Sequence, residues 1–302
     1  MKCHFFLLDF PAAMGAALVG VEDILTLANR FSDEASFLSE RVCVGNYPTL
    51  SENVNILFLP PCMTPFSDTI KPEGLTDYLN EWQQRNAIIV ACCASVFWLA
   101  ETGLLDDKMA TTHWRLFEPL SRQFPKIKAI EKQDVVVDEG SVITAAGLFA
   151  YQDLILHLIA KFTGFDIAKE VADFAMLEIS PRLQSHYQHF QPNYHHGDPL
   201  VLKAQQFCDT SDIKKLTVKR LCKHMSMTER TLMRRFKQVL HLSPSQYILQ
   251  TRIEQSKQAL SLSLQSIEQI AYQLGYNDVS NFSRAFKLVT GITPANYRSR
   301  GF

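Results

Sequence analysis

Residues 216–240 read LTVKRLCKHMSMTERTLMRRFKQVL. Residues 216–222 form a short amphipathic run, and 224–227 break it with a tight turn. Thr228 then stands where a helix N-cap belongs, because its hydroxyl can accept a hydrogen bond from a free backbone N–H of the first turn. The spacing predicts a helix over 229–240. On it Leu232, Phe236 and Val239 fall at i, i+4 and i+7 and form an inward stripe. Arg230, Met233, Arg234 and Lys237 fall at i, i+3, i+4 and i+7 and project together from the other side. A helix that reads DNA needs this arrangement, with base-reading side chains early and phosphate-neutralising charge around them. Arginine suits guanine because its fork matches O6 and N7.

The same pattern recurs about 50 residues later. A helix over 267–274 leads through Gly275, Tyr276 and Asn277 into a helix over 278–289, with Asp278 as its N-cap. Phe282, Phe286 and Val289 face in; Ser280, Ser283, Arg284 and Lys287 face out. Between the pairs, 244–260 is one longer helix with Tyr247, Ile248, Ile253 and Leu260 on its buried side. Such a helix fixes the distance between two readers, and successive major-groove faces lie ~34 Å apart. The charge agrees. Residues 199–302 carry 16 Lys and Arg against 6 Asp and Glu, and residues 1–198 carry 14 against 25, which the net charge of −1 conceals. A basic block beside an acidic one points to a polyanion-binding domain joined to something else. A helical interaction domain with basic faces is the alternative; two capped, Arg-bearing motifs weigh against it.

These residues resemble the AraC/XylS regulators: MTERTLMRRFK at 227–237, LSPSQY at 242–247, Arg252, IEQIAYQLGY at 267–276, NFSRAFK at 281–287 and GITPANYR at 291–298. The resemblance covers about residues 199–300. It implies that Arg230, Met233 and Arg234, and in the second motif Ser280 and Arg284, lie at or near base edges of double-stranded DNA. Lys237, Asn281, Ser283 and Lys287 complete the DNA-binding set. Ser226 departs from the family pattern, which often has glycine in that turn.

The first ~165 residues alternate short apolar runs with helical patterns, the mark of an α/β domain. Strands are expected at 3–8, 55–59, 87–91, 135–137 and 142–144, and helices at 19–30, 75–85, 96–102, 149–162 and 167–177. Uncharged strands such as Ile88-Ile89-Val90 suit a parallel sheet covered on both faces. Residues 178–198 are polar and read as a linker, giving domains at 1–177 and 199–302. His186, His189, His195 and His196 fall in that stretch without a spacing that makes a metal site. The seven cysteines are odd in number and scattered, a reduced, cytoplasmic pattern and not a disulfide framework. Asp9 and Pro11 interrupt any leader-like opening. The longest uncharged apolar run, 10–21, is too short for a bilayer span of about 20 residues.

The sharpest feature of this half is IIVACCAS at 88–95. A strand meets a helix through small residues with Cys93 at the junction. That geometry can present an activated thiol at a helix N-terminus; equally, it can be a core strand ending in two buried cysteines. The wider pattern, LAETGLLD at 99–106, ATTHW at 110–114, ITAAG at 143–147, Asp153-Leu154 and a first helix ending in Ala28-Asn29, resembles the GlxA-type regulators. These join a PfpI-like, class I glutamine-amidotransferase-like domain to an AraC-type domain. The resemblance implies a flavodoxin-like, doubly wound sheet with a ligand crevice at the strand carboxyl ends. Enzymes of that superfamily pair the elbow cysteine with a histidine and an acidic residue of the first helix. Here Ala94 follows Cys93, and Ala17 stands at the acidic position while Glu22 lies elsewhere on the helix. The expectation is therefore a vestigial elbow in a non-catalytic, cofactor-free sensor. Cys93, His113, Pro61 and Cys62 would line its pocket, and Trp98 or Trp114 could serve a cationic ligand. The resemblance implies a small nitrogenous effector, such as an amino acid or betaine, and a homodimer. A cysteine-dependent hydrolase with an accessory basic domain is the competing reading.

Overall fold

Residues 2–8, KCHFFLL, carry apolar side chains on both sides of the strand, and the fold buries both. Side chains alternate across a strand. Cys3, Phe5 and Leu7 accordingly enter one core while Phe6 and Leu8 enter another. The structure, a computed structural model, describes residues 1–32, 35–50, 54–63, 70–179 and 182–299, without the side chain of His186. The chain divides into two units, Met1–Gln184 and Ser185–Phe302.

In chain order the first unit contains β1 (Lys2–Leu8), α1 (Gly15–Phe31), β2 (Ser36–Val42), β3 (Val54–Leu59), α2 (Leu75–Gln84), β4 (Ile88–Cys92) and α3 (Val96–Glu101). There follow β5 (Met109–Ala110), α4 (Phe117–Gln123), β6 (Ala129–Ile130), β7 (Val136–Asp138), β8 (Val142–Ala145), α5 (Tyr151–Thr163) and α6 (Phe165–Ala175). The main sheet has the order β2-β1-β3-β4-β8-β7, parallel except for the β7–β8 hairpin, while β5 and β6 pair separately. Helices α1, α5 and α6 cover one face, and α2 and α3 the other. This is the doubly wound flavodoxin-like architecture expected from the sequence. Strand order reverses between β1 and β3, and in such sheets ligands are generally bound outside the strand carboxyl ends at this point. Strand β2 is not among the strands expected from the sequence. Its outer face is polar, and its one strand partner is β1. Asn29 holds it from α1: its Oδ1 accepts from Phe37 N–H (2.7 Å) and its Nδ2 donates to Phe37 O (2.8 Å).

The described residues of the second unit hold helices and no strand: α7 (Pro199–Thr210), α8 (Val218–Met225), α9 (Glu229–Leu240), α10 (Pro244–Leu262), α11 (Ile267–Gln273), α12 (Val279–Thr290) and α13 (Pro294–Ser299). It has two small cores, and α10 serves both. Tyr247 and Ile248 pack with α7, α8 and α9; Ile253 and Leu260 pack with α11, α12 and α13. Arg252 stands at the joint, donating to Leu216 O (2.7 Å) with its guanidinium 5.7 Å from the Tyr276 ring centre. Among the described residues, no helix is long and apolar enough to cross a membrane.

Candidate nucleic-acid interface and ligand crevice

Helix α8 begins at Thr217, whose hydroxyl accepts from Arg220 N–H. It ends at Ser226, which adopts a left-handed backbone (φ +49°). Met227 N–H returns to Cys222 O (3.0 Å), closing the helix end. Thr228 caps α9 by accepting from Thr231 N–H (3.3 Å), as its position predicts. Leu232 and Phe236 are buried in the core. Arg230, Met233, Arg234 and Lys237 are exposed, and none of the three cations is in an ion pair among the described residues. Arg235 on the same helix is different: it is half-buried and bonded to Asp198 (2.8 Å), which caps α7. Helix periodicity thus separates the arginines that hold the fold from those that face outward.

The second motif is built more tightly. Ser266 and Gln269 form a reciprocal capping box on α11. Gly275 has φ +85°, and a Cβ there would lie 2.6 Å from the Lys214 carbonyl oxygen, so only glycine fits this turn. Asp278 caps α12, accepting from Asn281 N–H (2.7 Å). The Asn281 side-chain amide donates to the same carboxylate, and its Oδ1 accepts from Arg284 Nη2 (2.5 Å). Asn281 thereby aims Arg284. Ser280, Arg284 and Lys287 are exposed. Ser283, expected to face out, is half-buried because it flanks the stripe of Phe282 and Phe286.

In the first unit, four carboxyl-end turns converge. Cys93 follows β4 with φ +56°, a strained position for a side chain, and opens a single 3-10 turn into α3. Ser95 in that turn donates to Pro60 O and lies 3.5 Å from Cys62 Sγ. Pro61 O accepts from Met14 N–H (2.8 Å), and Cys62 pairs with Ala13. Thr112 Oγ1 donates to Cys93 O (2.6 Å). Gly147, after β8, approaches the His113 ring. Burial pushes the Cys93 thiol up to about 11, against the stabilising N–H groups of Ala94 and Gly147. Burial, with the Arg115 charge, lowers His113, whose Nδ1 accepts from Arg115 N–H (3.2 Å). Cys92 points away into the core and is raised further by burial. Ala17 is buried and Glu22 is bonded to Arg41 through both oxygens (2.8 and 3.0 Å). No carboxylate among the described residues acts on Cys93. Trp98 is buried edge-on to Phe10, and the Trp114 ring already carries the Arg115 guanidinium. Of the histidines in residues 178–198, His189 and His196 are bonded to Glu254 and Gln205.

A doubly wound α/β unit followed by two capped, Arg-bearing helix-turn-helix motifs on one linking helix defines a DNA-binding transcription regulator. Comparison with known proteins agrees at both ends. Residues 51–161 match the DJ-1/PfpI family and residues 221–300 match a helix-turn-helix domain. The chain is 29% identical to the HTH-type transcriptional regulator ArgR of Pseudomonas aeruginosa, over 74% of this chain and 67% of that protein. It is 28% identical to the HTH-type transcriptional regulator CdhR of the same organism, over 99% and 92%. It is 27% identical to the HTH-type transcriptional regulator GlxA of Rhizobium meliloti, over 68% and 64%. The match thus spans nearly all of CdhR and just under two thirds of GlxA. The chain thus carries a DJ-1/PfpI domain followed by an AraC-type helix-turn-helix domain, and its similarity is to transcriptional regulators that include CdhR and GlxA.

Proposed function

We propose that the first unit senses a small molecule in the crevice around Cys93 and that the second unit carries the response to a specific DNA sequence. The observation behind the DNA assignment is the pair of outward stripes on α9 and α12, presented on rigid, capped helices that one shared helix joins. In this reading Arg230, Met233 and Arg234, with Ser280 and Arg284, contact bases. Lys237, Ser283 and Lys287 neutralise or hold phosphates, and Asn281 positions Arg284. Absence of salt-sensitive, sequence-specific binding to a fluorescent fragment of the gene's own upstream region would count decisively against it.

The crevice binds and does not react. A nucleophilic thiol needs a base or a stabilising positive charge. Cys93 instead sits buried, raised by burial, with alanines at the two partner positions. Cys93, Cys62, Pro61 and His113 line the site for a nitrogenous metabolite of the amino-acid or betaine class. The protein acts as a cytoplasmic homodimer without a cofactor. Thermal shift with a panel of amino acids and betaines tests the effector class, since a ligand at 100 times its Kd adds about 2.7 kcal/mol. The strained elbow at Cys93 favours the hydrolase reading. Turnover of amides or glyoxals that is lost in Cys93→Ala would establish it.

A further inference from the structure

We infer that the crevice beside Cys93 takes its ligand by a carboxylate, with His113 Nε2–H as the hydrogen-bond donor and the Arg115 guanidinium as the counter-charge. Such a ligand is the effector of the sensor reading above, on which this rests. All the residues concerned lie in the first unit.

The acceptors around the elbow are already engaged. Pro60 O accepts from Ser95, Pro61 O from Met14 N–H (2.8 Å) and Cys93 O from Thr112 Oγ1 (2.6 Å). The Cys93 sulfur accepts from the N–H groups of Ala94 and Gly147, and Cys62 Sγ lies 3.5 Å from Ser95 Oγ. No carboxylate among the described residues acts on Cys93, Cys62 or His113. An ammonium group entering here would leave water for a place without a counter-charge, which is costly.

The donors are in the opposite state. His113 Nδ1 accepts from Arg115 N–H (3.2 Å) and so caps the turn Trp114–Leu116. Burial and the Arg115 charge favour the neutral ring. A neutral imidazole whose Nδ1 accepts carries its proton on Nε2. That edge of the ring faces the elbow, because the adjoining Cδ2 lies 3.8 Å from where a Cβ of Gly147 would stand. Among the described residues no hydrogen bond occupies Nε2.

Arg115 is exposed and in no ion pair among the described residues. Its guanidinium rests on the Trp114 ring, 5.0 Å from the centre, and that ring lies 5.3 Å from the His113 ring. The cation on Trp114 is therefore the protein's own, and the tryptophan face has no room for a ligand's. What this corner lacks is a negative charge with accepting lone pairs. A carboxylate provides both, and hydrogen bonds to an ionised acceptor are roughly twice as strong as neutral ones. Amino acids and betaines carry that group; the amines left by removing it do not.

The test uses two thiol reagents that differ in one carboxylate. Iodoacetate and iodoacetamide each form a carbon–sulfur bond with the thiolate and release iodide. Each is reacted with the full chain at about pH 9, where Arg115 keeps its charge. Mass spectrometry follows Cys93 against the exposed Cys43 of the same chain. Dividing the iodoacetate-to-iodoacetamide rate ratio at Cys93 by that at Cys43 cancels the intrinsic difference between the reagents. The quotient is expected to be about five in the wild type, the size of one charge–charge contact in water. Arg115→Gln brings it toward one, and Arg115→Lys keeps it. His113→Asn also brings it toward one, although its side-chain oxygen still caps the turn. A wild-type quotient at or below one overturns the assignment, as does a raised quotient that Arg115→Gln and His113→Asn leave unchanged. Thermal shift then compares each amino acid with its decarboxylated amine, and glycine betaine with choline. Equal shifts within a pair overturn the carboxylate. If no pair member binds, the sensor reading loses its effector class, while the labelling quotient still decides what the crevice attracts.

Discussion

Ser226 and Gly275 each follow the last buried apolar residue of a first helix, Met225 or Leu274, and both are left-handed. Gly275 is required by the nearby Lys214 carbonyl, whereas Ser226 carries a Cβ in a conformation that disfavours one. Ser226→Gly is therefore expected to stabilise the second unit by roughly 1 kcal/mol, read as a rise of a few degrees in its thermal midpoint. Arg284 and Arg230 differ in how they are held. Asn281 fixes Arg284, while Arg230 has no ion pair among the described residues. Arg230→Ala and Arg284→Ala should each weaken specific binding by ~1–3 kcal/mol. Asn281→Ala should weaken it less, and add nothing once Arg284 is gone, because it acts through that side chain. At the elbow, a thiol raised to about 11 is ionised to about one part in ten thousand at pH 7. Iodoacetamide labelling of Cys93, followed by mass spectrometry, should keep rising with pH beyond 9. A plateau below that would mean an activated thiolate and would revive the hydrolase reading.

Elements that impose a strong period were legible in the sequence, and those that do not were missed. Helices α9 and α12 were readable to their caps because Thr228 and Asp278 precede unbroken 3.6-residue stripes. Strands β1 and β4 are buried on both faces, which leaves continuous apolar runs. Strand β2 has only Phe37 and Val42 buried, and β5 and β6 are two residues each, too short to show any period. The outward stripes were readable because one helix carries each set. In the first unit Cys93 was readable from its strand-to-helix junction, whereas the other candidate crevice residues came through family resemblance, since they sit on separate turns. Helix α10 supplies the element-scale test. Burial opposes ionisation of Glu254, but His189, Phe190 N–H and Lys257 outweigh it and hold the carboxyl below the ordinary glutamate value. A depressed folded value contributes stability that is present above the unfolded pKa, about 4.3, and lost as pH falls through the lower folded one. Glu254→Gln should therefore flatten the acid limb of unfolding of the second unit, followed by circular dichroism. It should also destabilise that unit at pH 7, because Lys257 is left buried without its counter-charge.

At the scale of the whole molecule, a net charge of −1 gives no long-range attraction to DNA, so binding must come from where the charge sits. Residues 199–302 hold an excess of ten cations, but several are internally committed, such as Arg235 to Asp198 and Lys257 to Glu254. The cations on the two outward stripes are Arg230, Arg234, Lys237, Arg284 and Lys287. The acidic excess of the first 198 residues is screened beyond about 8 Å at physiological ionic strength, so it opposes association mainly at low salt. Each neutralised phosphate contributes a slope of about −0.9 to log K against log salt. If all five stripe cations meet phosphates, the slope per chain is about −4.5. If Arg230, Arg234 and Arg284 are given over to base edges, it falls to about −1.8. A fourfold rise in salt then weakens binding by roughly 12-fold to 500-fold. Titrating the upstream fragment between 50 and 200 mM potassium chloride (about the range in which such slopes are linear) measures this directly. Lys237→Ala should make the slope shallower by about 0.9 and weaken all sequences alike, whereas Arg230→Ala should chiefly erase the preference at one base pair. A slope shallower than −1 in the wild type would mean that these stripes do not meet the DNA backbone, and the interface would have to be sought elsewhere on the second unit.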